Sequence, residues 1–472
     1  SRYSESARVA WAMTSAVRLE AEHHRSDGQA AFASFHMDAT RLDTEQTVLR
    51  LVSDAQLGWI TRLRASVSDR AIDHAMDDWS MRPSVPRITT TATRIRTQTT
   101  LLDMLQAQHG RVARADIRLE PSASTRLDIG VEHRNDRFDA HNRAAATQCV
   151  TIRATGATSC VDFGSTAWSF YDLAWVRDGL WMEGRHVVGD VLLTAGVRRD
   201  LQETRAGALF DFNGTIAQPG AGATRRERID NGFVRTEWSV APTLTLHGGL
   251  AATDRPADFM ERVNFAGGAL LDAERSRQVD AGFAWRGESA AADVSWFRAQ
   301  HPNMILVSGG TVVVQEQVRR EGLEARLDWR PAPRWTVRAL AAAVSGQNES
   351  RDVPLAQTPP PEATLALAYD APTWGLSTAL RAVRRQTRVD VGYGNTLGVD
   401  LGPTAGFATL RLEGWWSPSK AVRIGAAVEN AFDRFYQEHV SRTGSFAPAG
   451  FVAMTRVPEP GRALWGRVRV EL

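Results

Sequence analysis

The chain has 472 residues, 43% of them hydrophobic, and its 56 basic residues nearly balance 54 acidic ones for a formal net charge of +2. No apolar run reaches the eighteen or so residues of a membrane helix, and the near-neutral balance gives no ground for a nucleic-acid partner. A transmembrane β-barrel passes both tests, because only alternate residues of each strand meet lipid.

Taken in chain order, the first chemistry-bearing pair is His23-His24. Adjacent strand residues point to opposite faces, so the two are poor partners for one ion. Met37 opens a polar stretch and shares its parity with Arg41, Asp43, Glu45 and Thr47. The turn Ser53-Asp54-Ala55-Gln56 is expected to fold that stretch back onto Gly58–Met76. There Trp59, Leu63, Ala65, Val67 and Ala71 take one parity, and Arg62, Arg64, Ser66, Ser68, Arg70, His74 and Met76 the other. Three arginines on one inward face suit a wide, water-filled lumen.

Cys149 and Cys160 lie in a stretch rich in Ala, Thr and Gly. An oxidising compartment would let them close a short loop, and a reducing one would leave two thiols; with export expected, a Cys149–Cys160 disulfide is the expectation, ahead of metal binding. Further on, Val234, Trp238 and Val240 alternate with Arg235, Glu237 and Ser239, and after Ala241-Pro242 the residues Leu244, Leu246 and Leu250 alternate with Thr243, Thr245 and His247. Val337, Ala339, Ala341 and Ala343 repeat the pattern, as do the segments on either side of Pro418-Ser419-Lys420. Short turns of this kind alternate with longer segments, Asn142–Thr166, Asn213–Glu227 and Thr387–Gly406, that are expected to be extracellular loops. The fold class is therefore all-β, a large antiparallel transmembrane barrel of roughly 20 to 22 strands. Trp59, Trp175, Trp181, Trp329, Trp335, Trp415 and Trp416 are candidates for an aromatic girdle. The final segment places Leu464, Val468, Val470 and Leu472 opposite Arg467, Arg469 and Glu471. It is expected to close the barrel on its first strand, since no unpaired edge is stable in lipid.

The segment Val428–His439 resembles the N-L-F-D-x-x-Y-x-E-H stretch of TonB-dependent receptors. Asn430, Phe432, Asp433, Tyr436, Glu438 and His439 match it, and Ala431 replaces Leu. Pro460, Gly461 and Arg462 resemble the P-G-R that leads into the last strand of that family, and Leu472 stands where those chains end in an aromatic residue. The copper-receptor subgroup is the closest in pattern. Asp73-His74-Ala75-Met76-Asp77-Asp78-Trp79-Ser80-Met81-Arg82-Pro83 is similar to its D-H-V-M-D-N-Y-S-L-R-P, Met37-Asp38 to the centre of its R-G-M-D-G, and Arg255–Arg262 to its R-x-x-D-Y-W-E-R with Met260 in place of Trp. Leu401–Phe407 also reads like that subgroup.

The resemblance implies that residues 1–472 form the barrel domain of an outer-membrane receptor. Its cargo would be copper, as ion or small complex, and TonB would drive uptake through an N-terminal plug. Neither a plug nor a TonB-contacting box is found in the chain, and Ser1-Arg2-Tyr3 resembles a point just inside the barrel. The plug is thus expected to be missing, and the first one or two strands with it. The alternatives are a receptor for a siderophore or other metal chelate, and a passive pore.

His74 and Met76 lie two apart, which on a strand puts imidazole and thioether on one face. Both are soft donors that suit copper, and Met37 would come to a similar height across the turn at 53–56. A plug would have to supply the remaining ligands. Met81, Met260 and Met304 are expected to pack rather than bind, and Arg384, Arg385 and Arg388 to be solvated. No P-loop, nucleophile elbow or H-E-x-x-H motif occurs. The expectation is a protein without enzymatic activity or prosthetic group, with outer-membrane lipid, TonB and a metal ion or complex as partners.

Overall fold

The structure, a computed structural model, describes residues 2–31, 37–81, 86–208, 224–258, 261–262, 265–443 and 454–471. Within them lies one sheet of 23 strands. The strands are β1 (Arg2–Ala12), β2 (Val17–Gly28), β3 (Asp38–Ser53), β4 (Ile60–Asp77), β5 (Arg87–Thr90), β6 (Arg94–Ser122), β7 (Thr125–Ile152) and β8 (Thr158–Val188). There follow β9 (Val191–Ala208), β10 (Thr224–Ala241), β11 (Leu244–Arg255), β12 (Glu274–Arg286), β13 (Ala290–Ser308), β14 (Val312–Trp329), β15 (Trp335–Asn348) and β16 (Val353–Pro354). The last are β17 (Glu362–Asp370), β18 (Trp374–Val383), β19 (Tyr393–Asn395), β20 (Gly398–Val399), β21 (Phe407–Ser419), β22 (Val422–Glu429) and β23 (Ala463–Val470).

Four of these, β5, β16, β19 and β20, are two to four residues long and belong to loops. The other nineteen run from 8 to 31 residues. Each long strand pairs antiparallel with the next, from β1–β2 to β22–β23. No helix among the described residues is long and apolar enough to cross a membrane.

The connections at 13–16, 54–59, 123–124, 189–190, 242–243, 287–289, 330–334, 371–373 and 420–421 are short, and most of those at the opposite ends are longer, apart from 153–157 and 309–311. In barrels of the outer membrane the short-turn end is the periplasmic one. At that end Trp11, Trp59, Trp238, Trp285, Trp329, Trp335, Trp374 and Trp416 all stand exposed among the lipid-facing residues. Trp335, Tyr369 and Trp374 stack in sequence, with ring centroids 5.0 and 5.3 Å apart. This is the girdle, but Trp175, Trp181 and Trp415 are not in it. Their parity faces inward, where the Arg114 guanidinium lies 4.8 Å over Trp181 and that of Arg423 3.8 Å over Trp415.

The outward parity carries Leu49, Leu51, Leu63, Val67, Val131, Leu180 and Leu201, all exposed. Two shallow apolar hollows of about 850 and 980 Å³ lie on this face; in a bilayer they take acyl chains. Leu49→Arg on this face should lower folding stability in lipid vesicles by about 2 kcal/mol, measured by urea titration of refolding.

The inward parity is a ladder of ion pairs. Glu20 accepts from Arg8, Arg18 and Arg50 at 2.8–3.0 Å. Arg64 holds Asp116 at 2.8 Å, and Arg118 and Arg126 hold Asp128 at 2.9 and 2.7 Å. Arg198 bridges Glu132 and Asp200 at 2.8 and 2.6 Å. Gly179 leaves room for that bridge: a Cβ there would lie 2.3 Å from Asp200 Oδ1, and the carboxylate would have to shift.

Three expectations change. The segment Asn142–Thr166 is not a loop. Strands β7 and β8 run through it and turn only at 153–157, because Thr147, Val150, Thr151, Ile152, Thr158 and Val161 are β-branched and sustain extended backbone. Cys149 and Cys160 are register partners near the tip and form a disulfide, with S–S 2.05 Å. With 28 to 31 residues each, β6, β7 and β8 exceed the ten or so that cross a bilayer by about 60 Å of strand. Second, β23 pairs with β22 and β1 with β2, and among the described residues no register joins β23 to β1. Nearly all residues of both strands are exposed, so they stand as the two ends of the strand series. Third, residues 213–223 lie outside the described residues, and the remainder of that expected loop, 224–227, is strand. The segment Thr387–Gly406 is a loop carrying the small hairpin β19–β20.

Candidate metal site

Strand β4 ends in the sequence His74-Ala75-Met76-Asp77-Asp78, and the two aspartates build the turn above it. Asp77 accepts hydrogen bonds from the backbone N–H groups of Trp79 and Ser80 (3.1 and 2.8 Å) and from the Ser80 hydroxyl (2.8 Å). Asp78 accepts from the Leu102 N–H at 2.8 Å, which fastens β4 to β6 at this height. The carboxylates are thus occupied by the backbone, and the inward side chains below them are His74 and Met76.

Register brings further sulfur to the same place. Met76 is paired with Met104 of β6, and His74 with Gln106. Paired residues hold their Cβ atoms about 4.5–5.5 Å apart, so the two methionine side chains start from neighbouring positions on one face. The Gln106 amide donates to Met104 Sδ at 2.8 Å. Met76 is 8% exposed, and His74 Nε2 is buried with no hydrogen-bond partner. A buried imidazole nitrogen without a partner is costly, and a soft cation bound there would remove that cost.

Met37 comes to the inward face by a route the sequence did not show. The parity of Arg41, Asp43, Glu45 and Thr47 is the outward one, which Leu49 and Leu51 continue toward lipid. A bulge at Thr40 shifts the pairing, so that Arg41 faces Ala75 but Ala39 faces Met76. The Thr40 hydroxyl donates to the Ala75 carbonyl at 3.3 Å and fixes the irregularity. One extra residue exchanges the faces, so Ala39 stands beside Met76, and Met37, two residues before it, is 2% exposed. Met104 was missed from sequence. Its only signal was a methionine on the parity of Gln106, and the link to Met76 depended on the pairing across the 78–93 connection.

The other donors lie elsewhere. Among the described residues no group of three or more His, Cys, Asp and Glu is placed to hold a metal ion. His23 and His24 occupy opposite faces of β2, the former bonded to Thr47 Oγ1 at 3.1 Å. Met304 packs against the cluster of Leu306, Val318 and Leu355, Met81 is exposed, and Met260 lies outside the described residues. Arg384, Arg385 and Arg388 are exposed in the loop after β18.

The residues of the two C-terminal motifs bind each other. Asn430, in the left-handed region at φ 44°, donates to the carbonyls of Arg434 (2.8 Å) and Pro460 (3.3 Å), and its Oδ1 accepts from the Arg434 N–H (2.9 Å). Asp433 accepts from the Arg462 N–H at 2.7 Å, and a Cβ on Gly461 would lie 2.8 Å from the same oxygen. Tyr436 stacks on Phe407 at 4.3 Å, and Glu438 pairs with Arg381 at 2.5 Å. Phe432 is exposed. His439 is buried against Asp400 at 3.7 Å and meets the Thr404 hydroxyl at 3.2 Å. The motif pair is a clasp that joins the extracellular ends of β18, β21, β22 and β23.

The chain is similar to several solved receptors. A structure described as the copper transporter OprC superposes with TM-score 0.85 at 25% identity, over 99% of this chain and 71% of that one. The ferric citrate transporter FecA in its unliganded form gives 0.66 at 12% identity, over 99% and 70%. The ferric yersiniabactin uptake receptor FyuA from Yersinia pestis gives 0.55 at 12%, over 99% and 78%. No curated protein matches by sequence. The profile of the family described as TonB dependent receptor-like, beta-barrel, matches residues 7–431. With that match and the antiparallel wall around an inward polar face, the chain belongs to the TonB-dependent receptor β-barrel family.

Proposed function

We propose that residues 1–472 serve as the barrel of an outer-membrane receptor for copper, taken up as ion or small complex, with TonB engaged through a plug. The observation that carries this reading is the meeting of His74, Met76 and Met104 on one inward patch, with Met37 buried close by and the carboxylates beside them engaged by backbone. Thioether and imidazole donors select a soft, weakly hydrated cation such as Cu(I) over Mg²⁺ or Ca²⁺. The likeness to a copper transporter over 99% of the chain supports the same cargo.

Barrel strands hold these donors in place, whereas a plug would complete the coordination and close the pore. Competition with a chromogenic chelator measures the outcome directly. Cu(I) and Ag(I) should bind the folded chain at one site, with Zn²⁺ at least about 100-fold weaker. Equal binding of Zn²⁺, or binding of a ferric chelate in preference to Cu(I), would refute the assignment.

A further inference from the structure

The side-chain amide of Gln106 ties the donors of β4 to those of β6. Gln106 is the register partner of His74, and Met104, two residues before it, is the partner of Met76, so all four share the inward face. The amide nitrogen donates to Met104 Sδ at 2.8 Å. The same side chain also hydrogen-bonds the His74 ring. Since His74 Nε2 is buried without a partner, that second bond falls on Nδ1.

Together these contacts leave one placement of the protons. A thioether can only accept, so the NH2 end of the amide faces Met104 and the oxygen faces His74. Turning the amide over would set its oxygen against the sulfur, two acceptors with no proton between them. An amide oxygen likewise only accepts, so Nδ1 of His74 carries the hydrogen. In a neutral imidazole one nitrogen donates and the other accepts. Nε2 is then the bare nitrogen, with its lone pair in the patch. Free histidine in water favours the other tautomer, with the proton on Nε2. The hydrogen bond made by the opposite nitrogen decides which form is present, and here that bond comes from Gln106.

We infer that Gln106 is the positioning residue of this patch: one amide fixes the tautomer that frees His74 Nε2 to bind a soft cation, and it orients Met104 Sδ at the same time. The inference rests on the copper reading given above. A histidine that binds a metal usually donates its other ring N–H to a fixed acceptor, which sets the ring plane and makes the binding nitrogen more basic. Ring and thioether are thus oriented as a unit before a cation arrives, which lowers the ordering cost of binding. The position calls for a side chain with both an acceptor and a donor. Glutamate would supply only the acceptor, and leucine neither.

The test reads the imidazole nitrogen NMR spectrum of the folded chain in lipid nanodiscs. The chain is isotope-labelled at histidine and kept metal-free at about pH 8, above the ordinary histidine range. His74→Ala identifies the His74 signals among those of the 11 histidines. The parent chain should show His74 protonated at Nδ1 and bare at Nε2. Gln106→Leu should move the proton to Nε2 and lower Cu(I) affinity about tenfold. Gln106→Glu, whose carboxylate still accepts from Nδ1, should restore the parent tautomer and bind Cu(I) more tightly than Gln106→Leu does. A proton on Nε2 in the parent chain would overturn the inference, and that measurement needs no variant to fold. So would one and the same tautomer in the parent and in Gln106→Leu. Ag(I) separates these outcomes from failure of the copper reading: it should shift the Nε2 signal and leave the Nδ1 proton in place. An unmoved Nε2 signal beside a protonated Nδ1 would refute the copper site itself, and with it the role of Gln106.

Discussion

Replacing Asp400 by alanine is expected to release the extracellular clasp while leaving the barrel wall intact. The Asp400 side chain is fully buried. It accepts from the N–H groups of Gly402 (2.9 Å), Gln357 (3.3 Å) and Asp390 (3.3 Å), and it faces His439 and Arg456, each at 3.7 Å. Arg456 is itself almost fully buried and donates to the Gly402 carbonyl at 2.5 Å. Removing the carboxylate leaves a buried guanidinium without its counter-charge, an event that costs about 3–5 kcal/mol. The loss should be local. Amide exchange at Gln386 and Thr404 should accelerate by at least about 100-fold, and proteolysis should begin between residues 387 and 406, with the heat unfolding of the strands unchanged. Protection equal to the parent chain would show that the clasp does not depend on this residue.

Acid should act in the same direction. Burial pushes the Asp400 carboxyl up, but contact with His439 and the N–H groups of Gly402 and Gln357 outweigh it and hold the group below the usual carboxylate range. A depressed carboxylate contributes stability that is fully present above its unfolded value and is lost as pH falls through the folded one. The clasp should therefore be closed at neutral pH and begin to exchange faster only below the ordinary carboxylate range.

The second large effect concerns the cargo. His74→Ala combined with Met76→Ala removes the imidazole and one of the two paired thioethers, so Cu(I) affinity should fall by at least about 100-fold, near 3 kcal/mol. Met104→Leu keeps shape and apolarity but removes the sulfur that Met76 faces, and it should cost about tenfold. Strand content should be unaffected in the Met104→Leu variant, because Leu and Met are nearly isosteric in a packed site, and it serves as the folding control for the double variant. Unchanged affinity in the double variant would place the copper elsewhere.

Much of the wall was legible in the sequence because period-two alternation is dense and independent of distant context. Leu63, Ala65 and Val67 against Arg62, Arg64 and Ser66 already assign both faces of β4. What escaped was set by events of one residue or by pairing between segments. The bulge at Thr40 reverses the face of Met37, and nothing local in Met37-Asp38-Ala39 announces it. Met104 entered the site only through the register of β4 on β6. The reach of β7 and β8 escaped because Ala and Thr in Ala144–Thr147 read as loop composition although the backbone around them extends. The C-terminal clasp was visible as two motifs, but only the bonds from Asn430 to Pro460 and from Asp433 to Arg462 show why they occur together.

The inward ladder of arginines and carboxylates has a consequence for anything that traverses the lumen. Glu20, Asp116, Asp128 and Asp200 are each already neutralised by one to three arginines. Toward a passing ion these four rungs behave as a spent exchange resin, with no vacant charge to trade. Hydrated sodium or magnesium gains nothing by shedding water against them and drifts past. Selectivity is then not a matter of attraction along the path. On the proposed reading it falls to the inward patch at the end of β4, where sulfur and an unpartnered imidazole nitrogen replace the charged rungs.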